Sequence, residues 1–346
     1  MKTGGRLLSA AGNSFRKRTS TRIIPPVADV GVARDDFYSS LSEPFTAVTP
    51  TLDMLINFDQ TFHLYNPNRG YTWEKKGSNR VQLHSNKDGF TLCPVISAAG
   101  IIGAQLIFGG STTGVHPRVA PGPLLRYTHT ANHWSNEDTT LALFKDIIIP
   151  YVESRRLLHG TPDAPALVLA DAFSAHWTQA VKDYVGEQHA IVYIAVPDCL
   201  THLFQPLDLG VIAAIKQSIL RRKDDFMEQE VATAIREGRG VILSKSRPVL
   251  REKIAMWIKE TLSDPNICAE HCCRSGFDRA GITRAMYGGN TIADVDLVLP
   301  PPTCEECGEF GLLCEELPTC AHFGDVASMV LCTGCIAQHN DLCEQR

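Results

Sequence analysis

A mixed α/β domain is the fold that the sequence predicts, and three observations carry the prediction. Short apolar runs fit for buried strands, at Met54–Phe58, Ala166–Ala170 and Ala190–Val196, alternate with segments of helical spacing. The interval between the last two runs suits one helix, so they should pair in parallel through a right-handed crossover. Hydrophobic residues make up 44% of the 346 and charged residues 21%, which supports a sizeable core and excludes wholesale disorder.

Residues 1–50 come first and read as a basic, mostly disordered arm. Lys2, Arg6, Arg16, Lys17, Arg18, Arg22 and Arg34 face only Asp29 in its first 34 positions. Such an arm suits phosphate contact or nuclear import, an organelle transit peptide, or simply a solvated tail. The domain proper should occupy residues 51–290. After the strand at Met54–Phe58, the β-prone segments Phe90–Ser97 and Ala104–Phe108 flank Gly100 and Gly103 and predict a hairpin. Ser135 begins a capping-box-like stretch ahead of a helix running through Leu141, Phe144, Ile148 and Val152, with a kink expected at Pro150. A helical segment capped by Ser174 separates the two parallel strands. A long helix over Leu207–Arg236 and another over Arg251–Leu262 follow. The longest apolar stretch, Val95–Phe108, is too short and too interrupted to cross a membrane.

Three carboxylates sit where chemistry can use them. Asp59 and Asp171 each end an apolar strand, and an acid there needs a cation, a donor or exposure. Neighbouring parallel strands would bring both to one carboxyl edge, the edge at which open α/β sheets bind ligands. Two oxygens converging there suit a hard cation such as Mg²⁺. Asp208 follows Pro206 at a helix entrance, where an acid also favours the helix dipole. Taken singly, each of these acids is equally read as an ordinary element-end residue.

The flanking residues go further. Asn57-Phe-Asp-Gln-Thr61, Asp171-Ala-Phe-Ser-Ala-His176 and Gln205-Pro-Leu-Asp-Leu-Gly-Val211 with Lys216 resemble, in order, the three acid-bearing motifs of the DDE-type transposase catalytic domain of the mariner/pogo group, shared with the jerky and centromere protein B relatives. Tyr71-Thr-Trp-Glu-Lys-Lys-Gly77, Asn132-His-Trp-Ser135 and the segment Cys273–Ile282 extend the resemblance from Leu52 to Ile282. It implies a ribonuclease-H-like fold and catalytic acids Asp59, Asp171 and Asp208. These would hold two Mg²⁺ or Mn²⁺ ions, with Asp59 bridging them, for in-line attack on a DNA phosphodiester. His176 would orient water or touch phosphate, or else pack as a core histidine. Two positions depart from the pattern: Gln60 replaces the usual Glu, and Ala172 the usual Asn. Neither removes an expected metal ligand.

A Pro-rich linker over 291–303 leads to a cysteine-rich module over 304–346. Of 12 cysteines, Cys304, Cys307, Cys314, Cys320, Cys332, Cys335 and Cys343 lie there. The two Cys-x-x-Cys pairs, Cys304 with Cys307 and Cys332 with Cys335, fit one structural Zn²⁺. Cys314, Cys320, His322, His339 and Cys343 are irregularly spaced candidates for a second site. Eight acids against Arg346 point this module toward a protein partner rather than duplex DNA.

A formal net charge of −5 excludes a protein that coats nucleic acid by bulk charge. The first 50 residues show no three-helix pattern, so they are expected to offer phosphate contacts without sequence readout. Two functions follow. One is a metal-dependent DNA endonuclease or strand transferase, binding DNA without sequence preference. The other is a domesticated, catalytically inactive nucleic-acid- or protein-binding derivative of a transposase. A nuclear location, with an organelle as the alternative, and a homodimer complete the expectations.

Overall fold

Ala166–Ala170 is buried along its whole length, as is Leu55–Phe58, and such unbroken burial needs a sheet covered on both faces. The computed structural model describes residues 13–17, 27–45, 48–65, 71–75, 88–198, 200–239, 246–288, 314–318 and 328–332. It divides into two units. One comprises Arg22–Pro67 and Ser85–Ile292, the other Met1–Thr21, Asn68–His84 and Ala293–Arg346.

The described strands are β1 (Asn13–Lys17), β2 (Leu55–Phe58), β3 (Thr61–Leu64), β4 (Tyr71–Lys75), β5 (Gly89–Ser97), β6 (Gly100–Gly109), β7 (Leu125–Thr130), β8 (Ala166–Ala170), β9 (Ile191–Ala195), β10 (Cys314–Pro318) and β11 (Ser328–Cys332). The helices are α1 (Val27–Ser42), α2 (Glu137–Leu143), α3 (Ile149–His159), α4 (Gln179–Gly186), α5 (Thr201–Phe204), α6 (Pro206–Leu209), α7 (Ile212–Arg236), α8 (Arg247–Leu262), α9 (Pro265–Cys268), α10 (Glu270–Arg279) and α11 (Ile282–Tyr287).

The larger unit holds a seven-stranded sheet in the order β7-β6-β5-β2-β8-β9, with β3 added to β5. β5 runs antiparallel to β2, β3 and β6, whereas β2–β8, β8–β9 and β6–β7 pair in parallel. The carboxyl ends of β2, β6, β7, β8 and β9 therefore share one edge. This is a mixed sheet flanked by helices, the α/β class that the sequence predicts. The expected hairpin and the expected parallel crossover are both present. On one face Phe58, Phe144, Ile148, Val152, Val168 and Val181 belong to one apolar cluster.

Local chemistry moved several boundaries. The cap ahead of α2 is Asn136, not Ser135: the Asn136 side chain accepts from the Thr139 N–H at 3.0 Å, and the Thr139 hydroxyl accepts from the Asn136 N–H at 2.9 Å. The disturbance expected at Pro150 appears one turn earlier, as a π turn over Phe144–Ile148 that widens the ladder before the proline. α4 is capped by Thr178, while Ser174 opens a short 3₁₀ turn. The long helix expected from Leu207 is two, α6 and α7, broken at Gly210.

The expectation of a mostly disordered arm over 1–50 fails in two places. α1 buries Val30, Phe37, Tyr38 and Leu41, a spacing that lays one helical face on the domain. Tyr38 donates its hydroxyl to the Ala280 carbonyl at 2.9 Å, and Phe37 packs 5.5 Å from Phe204. Small and acidic residues between these positions masked the pattern. β1 pairs antiparallel with β4, so Tyr71–Lys75 belongs to the smaller unit and not to the main sheet.

In that smaller unit β10 and β11 also pair antiparallel, with Cys314 and Cys332 opposite one another in register. The linker and the remaining residues proposed for zinc, Cys304, Cys307, Cys335, Cys320, His322, His339 and Cys343, lie outside the described residues. Among the described residues no helix is long and apolar enough to cross a membrane.

The docking of α1 is tested by Phe37→Ala. Removing a buried aromatic ring should cost about 3–5 kcal/mol in urea denaturation. An unchanged midpoint would return this segment to a disordered arm.

Candidate active site

β2 and β8 lie side by side with Asn57 paired to Leu169 in register. Two residues beyond each member of that pair stand Asp59 and Asp171. The same offset along parallel neighbours brings both carboxylates to the same edge. The third acid arrives through hydrogen bonds. Asn57, fully buried within an apolar strand, accepts the Leu207 N–H at 3.0 Å and donates to the Leu169 carbonyl at 3.0 Å. Gln205, also fully buried, donates to the Phe58 carbonyl at 3.1 Å. These bonds seat α6, and with it Asp208, against the end of β2. From behind, Gly276 of α10 meets Pro206 so closely that an added Cβ would lie 2.2 Å from the Pro206 carbonyl oxygen. Arg279 secures the same turn by donating to the Leu209 carbonyl at 2.9 Å.

Asp59 feels the other two acids. Burial pushes the Asp59 carboxyl well above its ordinary range, and the charges of Asp208 and Asp171 push it further. The Gln60 N–H, donated at 2.7 Å, and the Lys216 ammonium pull the other way without prevailing. Asp59 and Asp171 are half-buried and Asp208 is exposed, so the group opens to solvent on the side of α6. Below it, burial first and then Asp59 and Asp171 hold the Cys93 thiol protonated.

His176 is wholly buried beside this group. The Gln60 side-chain amide lies 2.8 Å from its Nε2, and Asp171 Oδ1 approaches its Nδ1 to 2.8 Å, off the axis of a ring N–H. Phe58 packs edge-on at 5.0 Å. His176 therefore cannot touch a phosphate directly. It braces Asp171, whose carbonyl also accepts the Trp177 indole N–H at 2.7 Å. Gln60, at the position where the resembled family carries Glu, supplies a neutral partner to that ring.

All donors in the group are carboxylate oxygens, the ligand type of hard cations such as Mg²⁺ and Mn²⁺, so the residues fit the implied ions in kind. Among the described residues no group of three or more His, Cys, Asp or Glu side chains is spaced to hold a metal ion. Asn57 and Gln205 were the functional residues overlooked as such. Their signal was present: an amide inside an otherwise apolar run, and another beside a proline, must find buried partners.

Residues 120–237 match a family model described as a DDE superfamily endonuclease. This stretch contains Asp171 and Asp208 and stops short of Asp59, which the sheet supplies. The family resemblance read from the motifs is borne out there. No curated protein sequence matches the chain. In shape it is similar to solved structures of the Mos1 mariner transposase. A pre-cleavage Mos1 transpososome is 12% identical, with 82% of this chain and 70% of that chain covered and a TM-score of 0.39. The catalytic domain of Mos1 mariner transposase is 11% identical, covering 78% and 99%, with a TM-score of 0.37. The Mos1 strand transfer complex is 12% identical, covering 84% and 71%, with a TM-score of 0.40.

Two measurements probe this geometry. Asn57→Ala leaves the Leu207 N–H and the Leu169 carbonyl unpaired, at about 1–3 kcal/mol for each group in chemical denaturation. A loss below about 0.5 kcal/mol would show that α6 is held otherwise. For Asp59 the sign follows from proton linkage. The folded chain keeps a proton that the unfolded chain releases near pH ~4, so stability falls as pH rises from there. Asp59→Asn should therefore raise the melting temperature of metal-free protein at pH 7 and change it little near pH ~4. An equal or lower melting temperature at pH 7 contradicts the crowding of charge.

Proposed function

We propose that this protein is a DDE-type polynucleotidyl transferase, a metal-dependent endonuclease that breaks or joins DNA phosphodiesters by in-line attack. What carries the reading is that Asp59 and Asp171 stand at the same offset beyond the paired ends of β2 and β8, with the charge of Asp208 near enough to act on Asp59. The family match over 120–237 supports it.

Asp59, Asp171 and Asp208 would hold Mg²⁺ or Mn²⁺, which supplies Lewis-acid stabilisation of phosphoryl oxygens and a water more acidic than bulk. The chain's own residues do the rest. Asn57 and Gln205 fix the acids before any ion binds, so the site is organised in advance. His176 and Trp177 keep Asp171 in place and exclude water from its inner side. Lys216, exposed on α7 and near enough to act on Asp59, offers a cation to an incoming phosphate. DNA is the proposed partner.

Nicking of supercoiled plasmid tests the proposal. With Mg²⁺ or Mn²⁺ the protein should relax plasmid, and Asp59→Ala, Asp171→Ala or Asp208→Ala should each slow this by at least about a hundredfold. If wild type and Asp171→Ala nick equally, or neither nicks while both bind DNA, the chain is instead a binding protein of transposase origin.

A further inference from the structure

The edge that carries the acids carries an aromatic group as well. β7 ends there at Thr130, three strands from β2 or roughly 14 Å along the edge, and the turn 131–135 leads on into α2. Three rings meet at that turn. Phe62, three residues beyond Asp59, lies 5.0 Å from His133 with the planes 18° apart, and 6.2 Å from Trp134 at 14°. His133 and Trp134 are 5.7 Å apart at 30°. The inner ring is buried, but Phe62 is 36% and Trp134 47% exposed, so solvent reaches two of the three residues.

The arrangement is built rather than incidental. His133 adopts φ 60°, a left-handed conformation uncommon for a residue other than glycine. Thr130 donates its hydroxyl to the Trp134 carbonyl at 2.8 Å, and the Trp134 N–H donates to Asn132 Oδ1 at 3.2 Å. The Phe62 ring lies against Gly89, where a Cβ would meet the His63 carbonyl oxygen at 2.1 Å and the ring Cε2 at 2.5 Å, so the close backbone approach there requires glycine. A strained turn, two hydrogen bonds and a required glycine hold side chains that contribute little to the core. Backbone strain held in place in this way marks functional segments.

The ligand chemistry follows from the surface. Glu137 and Asp138, in the first turn of α2, follow Trp134 within four residues of chain and disfavour a phosphate there. Flat apolar faces beside acids suit a neutral planar group, and a nucleobase presents a π-face whatever its sequence. We propose that Phe62, His133 and Trp134 form a ledge on which an unpaired base of the DNA strand stacks, holding that strand at the rim of the acidic site. This rests on the DNA-processing reading above and names the substrate feature that the site takes: a strand locally freed from its duplex.

Binding measured without divalent metal separates this proposal from turnover. Fluorescence anisotropy of the full chain would compare a blunt duplex, the same duplex with a short single-stranded 3′ extension, and that extension built of abasic units. The extended duplex should bind about 5- to 100-fold more tightly than the blunt one, and the abasic extension should lose the gain. Trp134→Ala should remove the preference while leaving blunt-duplex affinity unchanged, and Trp134→Phe should keep most of it. Because stacking releases no counter-ions, the Trp134→Ala loss should be the same at low and high salt. The ledge is overturned if Trp134→Ala retains the preference, if both duplexes weaken equally, if the loss shrinks with added salt, or if wild type binds neither DNA. Plasmid nicking can fail while this preference stands, and can succeed while it is absent.

Discussion

One buried amide orders the site. Asn57 sits in a strand with no other polar side chain, so its carbonyl oxygen and amide nitrogen must both find partners inside the protein. They find the N–H of Leu207 and the carbonyl of Leu169. Three segments distant in the chain are thereby tied at a single point, and each carries an acid one or two residues further on. The parallel register sets Asp59 beside Asp171, and the hydrogen bond to Leu207 brings Asp208 to the same place. Gln205, Gly276 and Arg279 reinforce that junction from other directions, so the convergence does not depend on the carboxylates themselves, which repel.

That repulsion is the counterpart of the same design. Burial first, and then the charges of Asp208 and Asp171, raise the proton affinity of Asp59. The surrounding groups limit the tension without removing it. Lys216 stands on one side, the Gln60 N–H on another, and His176 braces Asp171 from a dry pocket lined by Phe58 and Phe173. The substitution of Gln for Glu at position 60 is physically coherent here. A neutral amide meets the buried ring without adding a fourth negative charge to a crowded edge.

Much of this was legible from the chain. Ala166–Ala170 and Met54–Phe58 read as strands because short apolar runs of that length suit buried strands. The hairpin at Gly100 and the crossover between β8 and β9 followed from spacing. Helix α1 was not legible: its apolar positions are real, but their meaning depends on a groove beside Phe204 and Ala280 that residues far along the chain create. Tyr71–Lys75, read as part of the domain over 51–290, falls in the smaller unit for a related reason. A short β-prone segment carries no mark of the strand it will join, and its partner here is Asn13–Lys17.

By itself the sequence determined the class of fold, the two strand-end acids and the helix-entrance acid, because apolar periodicity and the cost of burying charge are local properties. Only the tertiary structure decided that Asn57 and Gln205 bind those acids into one group, that His176 faces inward, and that Phe62 and Trp134 share an open face. Each of these depends on a contact between residues many positions apart, and pairings of that kind are set by how whole elements pack rather than by any pattern within one of them.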